Sequence, residues 1–322
     1  MKDRHGPSCA PRSGSIVTHA SQQRLSVEVK ETPGYVAITP ARDDARNLRR
    51  LADSLVAQHL PPLEWVIVDN GSSDSTPAII AQLVDEHPWI TAATSVAASR
   101  ALPGAPIVRA FHAGLSARKV GNPEIAVKLD ADVSVEPGYF ERLLAAFRRE
   151  PLLGIAGGVC YEEEAGDWYP TFSTGDHVRG AVRAYRWECL QDVLPLEERM
   201  GWDGIDELKA QVLGWRTRTL ENLAFKHHRG VGVRDGGRRN RWWALGEGAH
   251  YMGYRPWYLV LRSLHHARRD VAALSMLGGY ALAALRRDPV YADPAVRAHL
   301  RRMQSVAHLR RRVAEAHGRH VH

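Results

Sequence analysis

Regular alternation of hydrophobic and polar positions begins at Tyr35. YVAIT (35–39) is a short β-rich run stopped by Pro40, and the polar turn ARDDAR leads into a segment with Leu48, Leu51 and Leu55 at helical spacing. The same order of strand, turn and helix returns with WVIVD (65–69) and the turn NGSSDST. Ser75 or Thr76 is placed to cap the second helix, Pro77 suits its first turn, and Ile79, Ile80, Leu83 and Val84 form its apolar face. A third apolar run, IAVKLDADV, ends in acids and is followed by Pro137 and the helical stretch YFERLLAAFRRE. IAGGV (155–159) reads as a further strand, and DGIDELKAQVLG as a short helix stopped by Gly214. This alternation predicts an α/β fold: a parallel sheet with helices on both faces.

Outside that region the pattern changes. Residues 1–33 have little apolar periodicity and many Ser, Pro, Gly and charged residues, which predicts a mobile tail. From about Val233 the chain turns arginine-rich and helical. The longest apolar run, Val271 to Leu285, falls short of the roughly 20 residues a spanning helix needs. MKDRHGPSCAPRSGS has charges and prolines where a signal peptide needs an apolar stretch. Cys9, Cys160 and Cys189 show no disulfide or zinc-ligand spacing. A cytoplasmic location is therefore expected, with peripheral contact at the inner face of the cell membrane left open. A length of 322 residues, 44% of them hydrophobic, allows one large α/β domain or two modest ones. The net charge of +7 calls for an anionic partner without saying which.

In sheets of this kind ligands bind outside the carboxyl ends of the strands. Three predicted strands end in acidic turns, at Asp43 and Asp44, at Asp69, and at Asp130 and Asp132, so these acids are expected to share one crevice. Two carboxylates one residue apart repel, and alternation along the chain puts Asp130 and Asp132 on the same side. A hard cation, Mg²⁺ or Mn²⁺, shared with diphosphate oxygens would relieve that repulsion. Alone, an Asp-x-Asp triplet fits a turn or a cap better than a metal site. Its place after two acidic turns is what favours the metal.

Five ordered segments together resemble the family 2 glycosyltransferases of the GT-A fold: ITPARDDARNL, WVIVDNGSSDST, KLDADV, GWDGIDELKAQVLGW and AFKHHRG. Within that family, GWDGIDELKA to YMGYRPWY and GGYALAALRRDPVYADP look like bacterial enzymes of cell-surface or exopolysaccharide assembly. The resemblance implies a Rossmann-like nucleotide-diphospho-sugar transferase domain at 34–232, with a mixed sheet flanked by helices, followed by a basic helical extension at 233–322. It implies inverting transfer from a UDP-, GDP- or dTDP-linked sugar to a saccharide or lipid-linked acceptor. Pro40, Ala41, Arg42, Asp44, Asp69, Asn70, Arg109 and Asp130 would bind the nucleotide, and Asp130, Asp132 and His227 the metal. Asn70 stands where the family has a second Asp, and Asp44 where it has Glu. Asp203 would take the proton from the acceptor hydroxyl, with Asp206 in reserve, and either acid also suits a helix cap. Arg229 is a further diphosphate contact that competes with a plain surface role.

RRNRWW (238–243) distantly resembles the Gln-x-x-Arg-Trp signature of processive synthases, but the glutamine is missing and packing of Trp242 and Trp243 is the competing reading. Between Arg286 and His322 nine arginines face three acids, 9 − 3 = +6, which fits either an interfacial helix on an anionic membrane or a solvated face. Two other classes compete with the transferase. A sugar nucleotidyltransferase would carry a Gly-rich loop after its first strand, and PARDDAR has no glycine. A basic nucleic-acid-binding protein leaves the converging acids unexplained, so no nucleic acid is expected as a partner.

Overall fold

The computed structural model describes residues 32–95, 102–164, 166–171, 177–228 and 237–308. Most of the predicted N-terminal tail, Arg229, the expected boundary at Val233 and the basic stretch after residue 308 lie outside the described residues.

The expected elements form in order: β1 (Thr32–Ala41), α1 (Ala45–Val56), β2 (Glu64–Asp69) and α2 (Thr76–Glu86). β3 (Ile90–Thr94) and α3 (Ala105–Ala117) come next, then β4 (Pro123–Leu129), β5 (Val133–Val135), α4 (Tyr139–Arg149), β6 (Leu153–Glu164) and β7 (Asp167–Pro170). β8 (Val182–Arg186), α5 (Trp187–Val193), α6 (Trp202–Val212) and β9 (Arg216–His227) complete the α/β part. The basic region supplies α7 (Arg238–Met252), α8 (Pro256–Ala267), a short 3₁₀ turn, α9 (Ser275–Leu285) and α10 (Pro294–Met303).

The nine strands make one mixed sheet, β3-β2-β1-β4-β8-β6-β9-β5, with β7 paired to β6. Parallel pairing, as the alternation predicts, holds from β3 to β4. Beyond β4 the sheet changes character, because β8 runs antiparallel to both its neighbours and β5 antiparallel to β9. The acid-bearing strands β2, β1 and β4 are adjacent, although β3 separates two of them in the chain. β1 starts at Thr32 and continues through Pro40. The proline is tolerated because pairing with β4 ends at Ile38, beyond which a missing N–H costs no bond on that side.

Two apolar layers sandwich the sheet. Leu48, Leu51 and Leu55 of α1 join Ile80 and Leu83 of α2 and Phe140, Leu144 and Phe147 of α4 on one face. Val108, Phe111 and Leu115 of α3 pack with Trp187, Leu190, Trp202 and Ala210 of α5 and α6 on the other. Burying side chains of this size contributes about 1.5–3 kcal/mol each before conformational entropy is set against it.

In the C-terminal region α7 and α9 cross backbone against backbone. A Cβ on Gly246 would collide with the carbonyl oxygen of Met276, and one on Gly279 with that of Trp243. Trp242 donates its ring N–H to Asp270 (2.9 Å), and Trp243 lies against Gly278, so both tryptophans are packed among these helices. α10 packs against α6, with Ile205, Leu208, Met252, Tyr291, Val296 and Leu300 in one cluster. Gly246→Ala is expected to lower stability by about 1–3 kcal/mol, since the obstruction is backbone and cannot rotate away. Urea unfolding of the full chain checks this, and an unchanged midpoint would mean the crossing is looser than described.

Candidate active site

The β1 and β2 ends are tied by their polar turns. Ala41 pairs with Asp69, and the Asn70 amide N–H donates to the Ala41 carbonyl (2.9 Å). Asp43 adopts a left-handed conformation (φ 50°) and accepts from the backbone N–H of Ser73 (2.7 Å), which holds its carboxyl below the usual range. It acts as a turn former. Asp44 is buried, receives the side-chain N–H of Asn47 (3.1 Å), and sends its own N–H to the Thr76 hydroxyl (2.8 Å). Thr76 thus links the two turns rather than capping α2. Asp69 accepts from Ser72 through both hydroxyl (2.5 Å) and backbone N–H (3.1 Å). The Asn70 side chain is also occupied: its oxygen accepts from Ser95 (2.9 Å) and its amide donates to the Pro106 carbonyl (3.3 Å). Arg42 is exposed at the rim, and Pro40 is half-buried. Arg109, on α3, pairs with Glu198 (2.5 Å) in the segment leading to α6.

The second half of the site comes from pairing across the far side of the sheet. β5 follows Asp132 directly and runs antiparallel to the end of β9, setting Val133 opposite His227. The His228 N–H bonds the Asp132 carbonyl (2.8 Å), and His227 Nε2 lies 3.2 Å from Asp132 Oδ1. One ligand atom from each of Asp130, Asp132 and His227 falls within 4.8 Å of the others. β6 pairs Glu162 with His227, whose Nδ1 stands 3.7 Å from Glu162 Oε1, an ion-pair distance beyond hydrogen-bond range. Two carboxylates and one imidazole form a donor set that fits a divalent ion such as Mg²⁺ or Mn²⁺.

The protein also supplies positive charge of its own. Lys128, 2% exposed, bonds Asp130 and the Gly180 carbonyl (2.7 Å). It stands two residues before Asp130 on the same face of β4, a spacing visible in KLDADV that the reading for metal ligands passed over. Burial raises the Asp130 carboxyl, and Asp132 adds to this while Lys128 and His227 oppose it. For His227 burial disfavours the charged ring, but contacts with Asp132 and Glu162 and the charge of Asp130 outweigh it and hold the pKa at about 9. His228 behaves oppositely: burial and the charges of Arg50 and Lys226 push it to about 4, and its ring meets Ser134 (2.7 Å).

Asp203 and Asp206 share α6 but not an environment. Asp206, 1% exposed, is enclosed by Arg183 (2.5 and 3.1 Å) and the Tyr185 hydroxyl (2.5 Å). Glu207 holds the same guanidinium (3.0 Å), the Val178 N–H (2.7 Å) and His177 (3.0 Å). Burial opposes the charge on Arg183, but Asp206, Tyr185 and Glu207 keep it cationic. Asp203 uses only its backbone carbonyl on Arg183 (2.7 Å), and its carboxylate, half-buried, borders Gly180, where a Cβ would stand 3.4 Å from Oδ2. Gly180 therefore holds Lys128 through its carbonyl and borders the Asp203 carboxylate, while the Asp130 N–H bonds the next carbonyl, that of Ala181 (2.8 Å). Trp202 closes the group, with Lys128 Nζ 5.6 Å and the Arg183 guanidinium 5.7 Å from its ring.

Residues 36–188 match the family described as Glycosyl transferase family 2. The matched segment makes up just under half of the chain. It contains β1 from Val36 onward, β2 to β8 and both metal-candidate aspartates, while Asp203 and His227 lie beyond it. An uncharacterized glycosyltransferase of Nostoc sp. is 32% identical over 203 residues, covering 56% of this chain. The chain thus spans about 60% of that relative's length. In structure the chain is similar to the mannosyltransferase PcManGT from Pyrobaculum calidifontis, solved with GDP-Man and Mn²⁺. The TM-score is 0.54 at 17% identity over 89% of this chain and 85% of that one. That likeness confirms the GT-A fold. S. aureus TarS 1-349, solved with UDP-GlcNAc, aligns at a TM-score of 0.49 and 16% identity over 77% of this chain and 71% of that one.

A raised histidine pKa has a defined sign. The stabilisation from protonated His227 is complete below about pH 6.5 and is lost as pH rises through about 9. In the metal-free protein the His227 ring protons are expected to titrate near 9 by NMR, and Asp132→Asn to move the midpoint down toward about 6.5. A wild-type midpoint already near 6.5 would contradict the ion-paired cluster.

Proposed function

We propose that this chain is an inverting, metal-dependent glycosyltransferase that moves a sugar from a nucleotide-sugar to a saccharide or lipid-linked acceptor. Surface polysaccharide or glycolipid synthesis is the setting that the motif resemblance favours. The observation that carries this reading is the meeting of Asp130, Asp132 and His227, one ligand atom each within 4.8 Å, with Asp203 bordering Gly180, whose carbonyl holds Lys128.

Asp130, Asp132 and His227 would hold the ion. Bound there, Mg²⁺ or Mn²⁺ would offset the charge that gathers on the departing diphosphate. The chain's own groups do the rest. The β1 and β2 ends, from Pro40 to Asp44 and at Asp69 and Asn70, receive the nucleoside, with Asn70 holding the turn through Ser95 and Pro106. Lys128 supplies fixed positive charge at the diphosphate end. Asp203 accepts the acceptor hydroxyl's proton as that oxygen bonds the anomeric carbon. The bond from this carbon to the diphosphate oxygen breaks, and its electron pair leaves with the nucleoside diphosphate. In-line attack of this kind inverts the anomeric centre. Asp206 is the positioning partner, since its carboxylate is committed to Arg183 and Tyr185. Residues 34–232 form the catalytic part in this reading and 233–322 the acceptor or membrane-surface part. No helix among the described residues is long and apolar enough to cross a membrane, which suits a cytoplasmic or peripheral enzyme.

Thermal denaturation with UDP, GDP, dTDP or CDP, each with and without Mn²⁺, tests the donor site. Stabilisation by one diphosphate only with metal present is the expected result. Asp203→Asn should cut transfer by about 10²–10⁴-fold while sparing that stabilisation, whereas Asp132→Asn should weaken both. Full activity in Asp203→Asn would remove it as the base.

A further inference from the structure

One side of the apolar run Val271 to Leu285, singled out by hydropathy, is used in packing: Ala273, Met276, Gly279 and Ala283 are buried, and α9 lies against α7. A different surface is left uncovered. On α8, Trp257, Val260, Leu261 and Leu264 recur at i, i+3, i+4 and i+7, and all four are exposed, from 37% to 52%. Leu259 and Ser263, on the opposite side of the same helix, are buried, so the helix turns its core-type stripe away from the core. Val271 and Leu274, in the 3₁₀ turn just after α8, extend the apolar surface and are 73% and 41% exposed.

Charge decides what such a stripe meets. Arg255 precedes α8, Arg262 lies within it, and Arg268 and Arg269 follow it, while no acid occurs from Arg255 to Arg269. The first acid, Asp270, is turned inward to the Trp242 ring N–H (2.9 Å) and the Ala272 N–H (3.1 Å). An apolar ridge with a tryptophan near its start and arginines at both ends matches the layered chemistry of an anionic bilayer. Leucine side chains enter the acyl boundary, the indole rests at the headgroup level, and guanidinium groups meet phosphates. A protein partner of matching shape would need its own acidic rim. A second copy of this chain would bring four more arginines against these.

We propose that the Trp257–Leu264 face of α8, with Val271 and Leu274, is a docking surface for an anionic lipid bilayer. This goes beyond the transfer reaction and does not depend on the metal or on Asp203, since the surface stands on α8 and the turn that follows it. It would present a lipid-linked acceptor to an enzyme that has no spanning helix among its described residues.

The test is flotation of the full chain, free of metal and nucleotide, with vesicles of phosphatidylcholine alone or mixed with phosphatidylglycerol. Binding to the anionic vesicles only, weakened by salt, is expected. Arg268→Glu should lower the partition coefficient by at least about fivefold, and the double variant Leu261→Ser, Leu264→Ser by at least about tenfold. Circular dichroism and melting should be unchanged, since these side chains are exposed. Failure of the wild type to bind, or equal binding by the variants, would overturn the proposal. So would a wild-type dimer in sedimentation velocity that Leu261→Ser, Leu264→Ser converts to monomer, which would assign the stripe to self-association.

Discussion

Arg183 is the fixed point of this molecule. Its guanidinium is fully buried and divides its donors among Asp206, Glu207, the Tyr185 hydroxyl and the backbone carbonyls of Val178 and Asp203. A buried cation with that many acceptors is tolerated because every N–H finds a partner. Losing the arginine would strand two carboxylates in the core, a fault of about 3–5 kcal/mol. The consequence is positional. β8, α6 and the segment before β8 are drawn to one point, and α6 cannot slide or rotate without breaking several charged contacts at once.

That fixed point lies beside Lys128, the cation that bonds Asp130. Arg183 pairs with Lys128 across β4 and β8, so one cation organises α6 while its neighbour compensates Asp130. Trp202 covers both. From the other edge, β5 and β9 deliver His227 to Asp132 through an antiparallel register, and β6 brings Glu162 behind the imidazole. Like-charge repulsion among the acids is therefore met by Lys128 and a protonated His227. A divalent ion entering the cluster would take over the role of the imidazolium, and metal binding would compete with that proton.

How much of this was legible beforehand follows from the kind of information each element carries. β1, α1, β2, α2, β4 and α4 announce themselves by period, because each buries one face or both in the two main apolar layers. β3 escaped because it is an edge strand whose TAAT residues alternate between half-buried and exposed, leaving little hydrophobic signal. β8 escaped because VRAYR contains two arginines, and nothing local announces that Arg183 is wholly buried. The antiparallel half of the sheet was hidden for the same reason. Motif order brought Asp130, Asp132 and His227 onto one list, but their meeting depends on β5 pairing with β9 across 92 residues or so of chain, a long-range register. The choice between Asp203 and Asp206 could not be read locally either. Both suit a helix start, and only packing against β8 assigns one to Arg183 and leaves the other beside Gly180.

We propose that Asp130, Asp132 and His227 form one cation site where β4 ends. Anomalous diffraction at the manganese edge, from crystals grown with Mn²⁺ and a nucleoside diphosphate, addresses it most directly. A strong peak bounded by these three side chains is expected. A peak at another cluster, or none among these three while the diphosphate is bound, would contradict it.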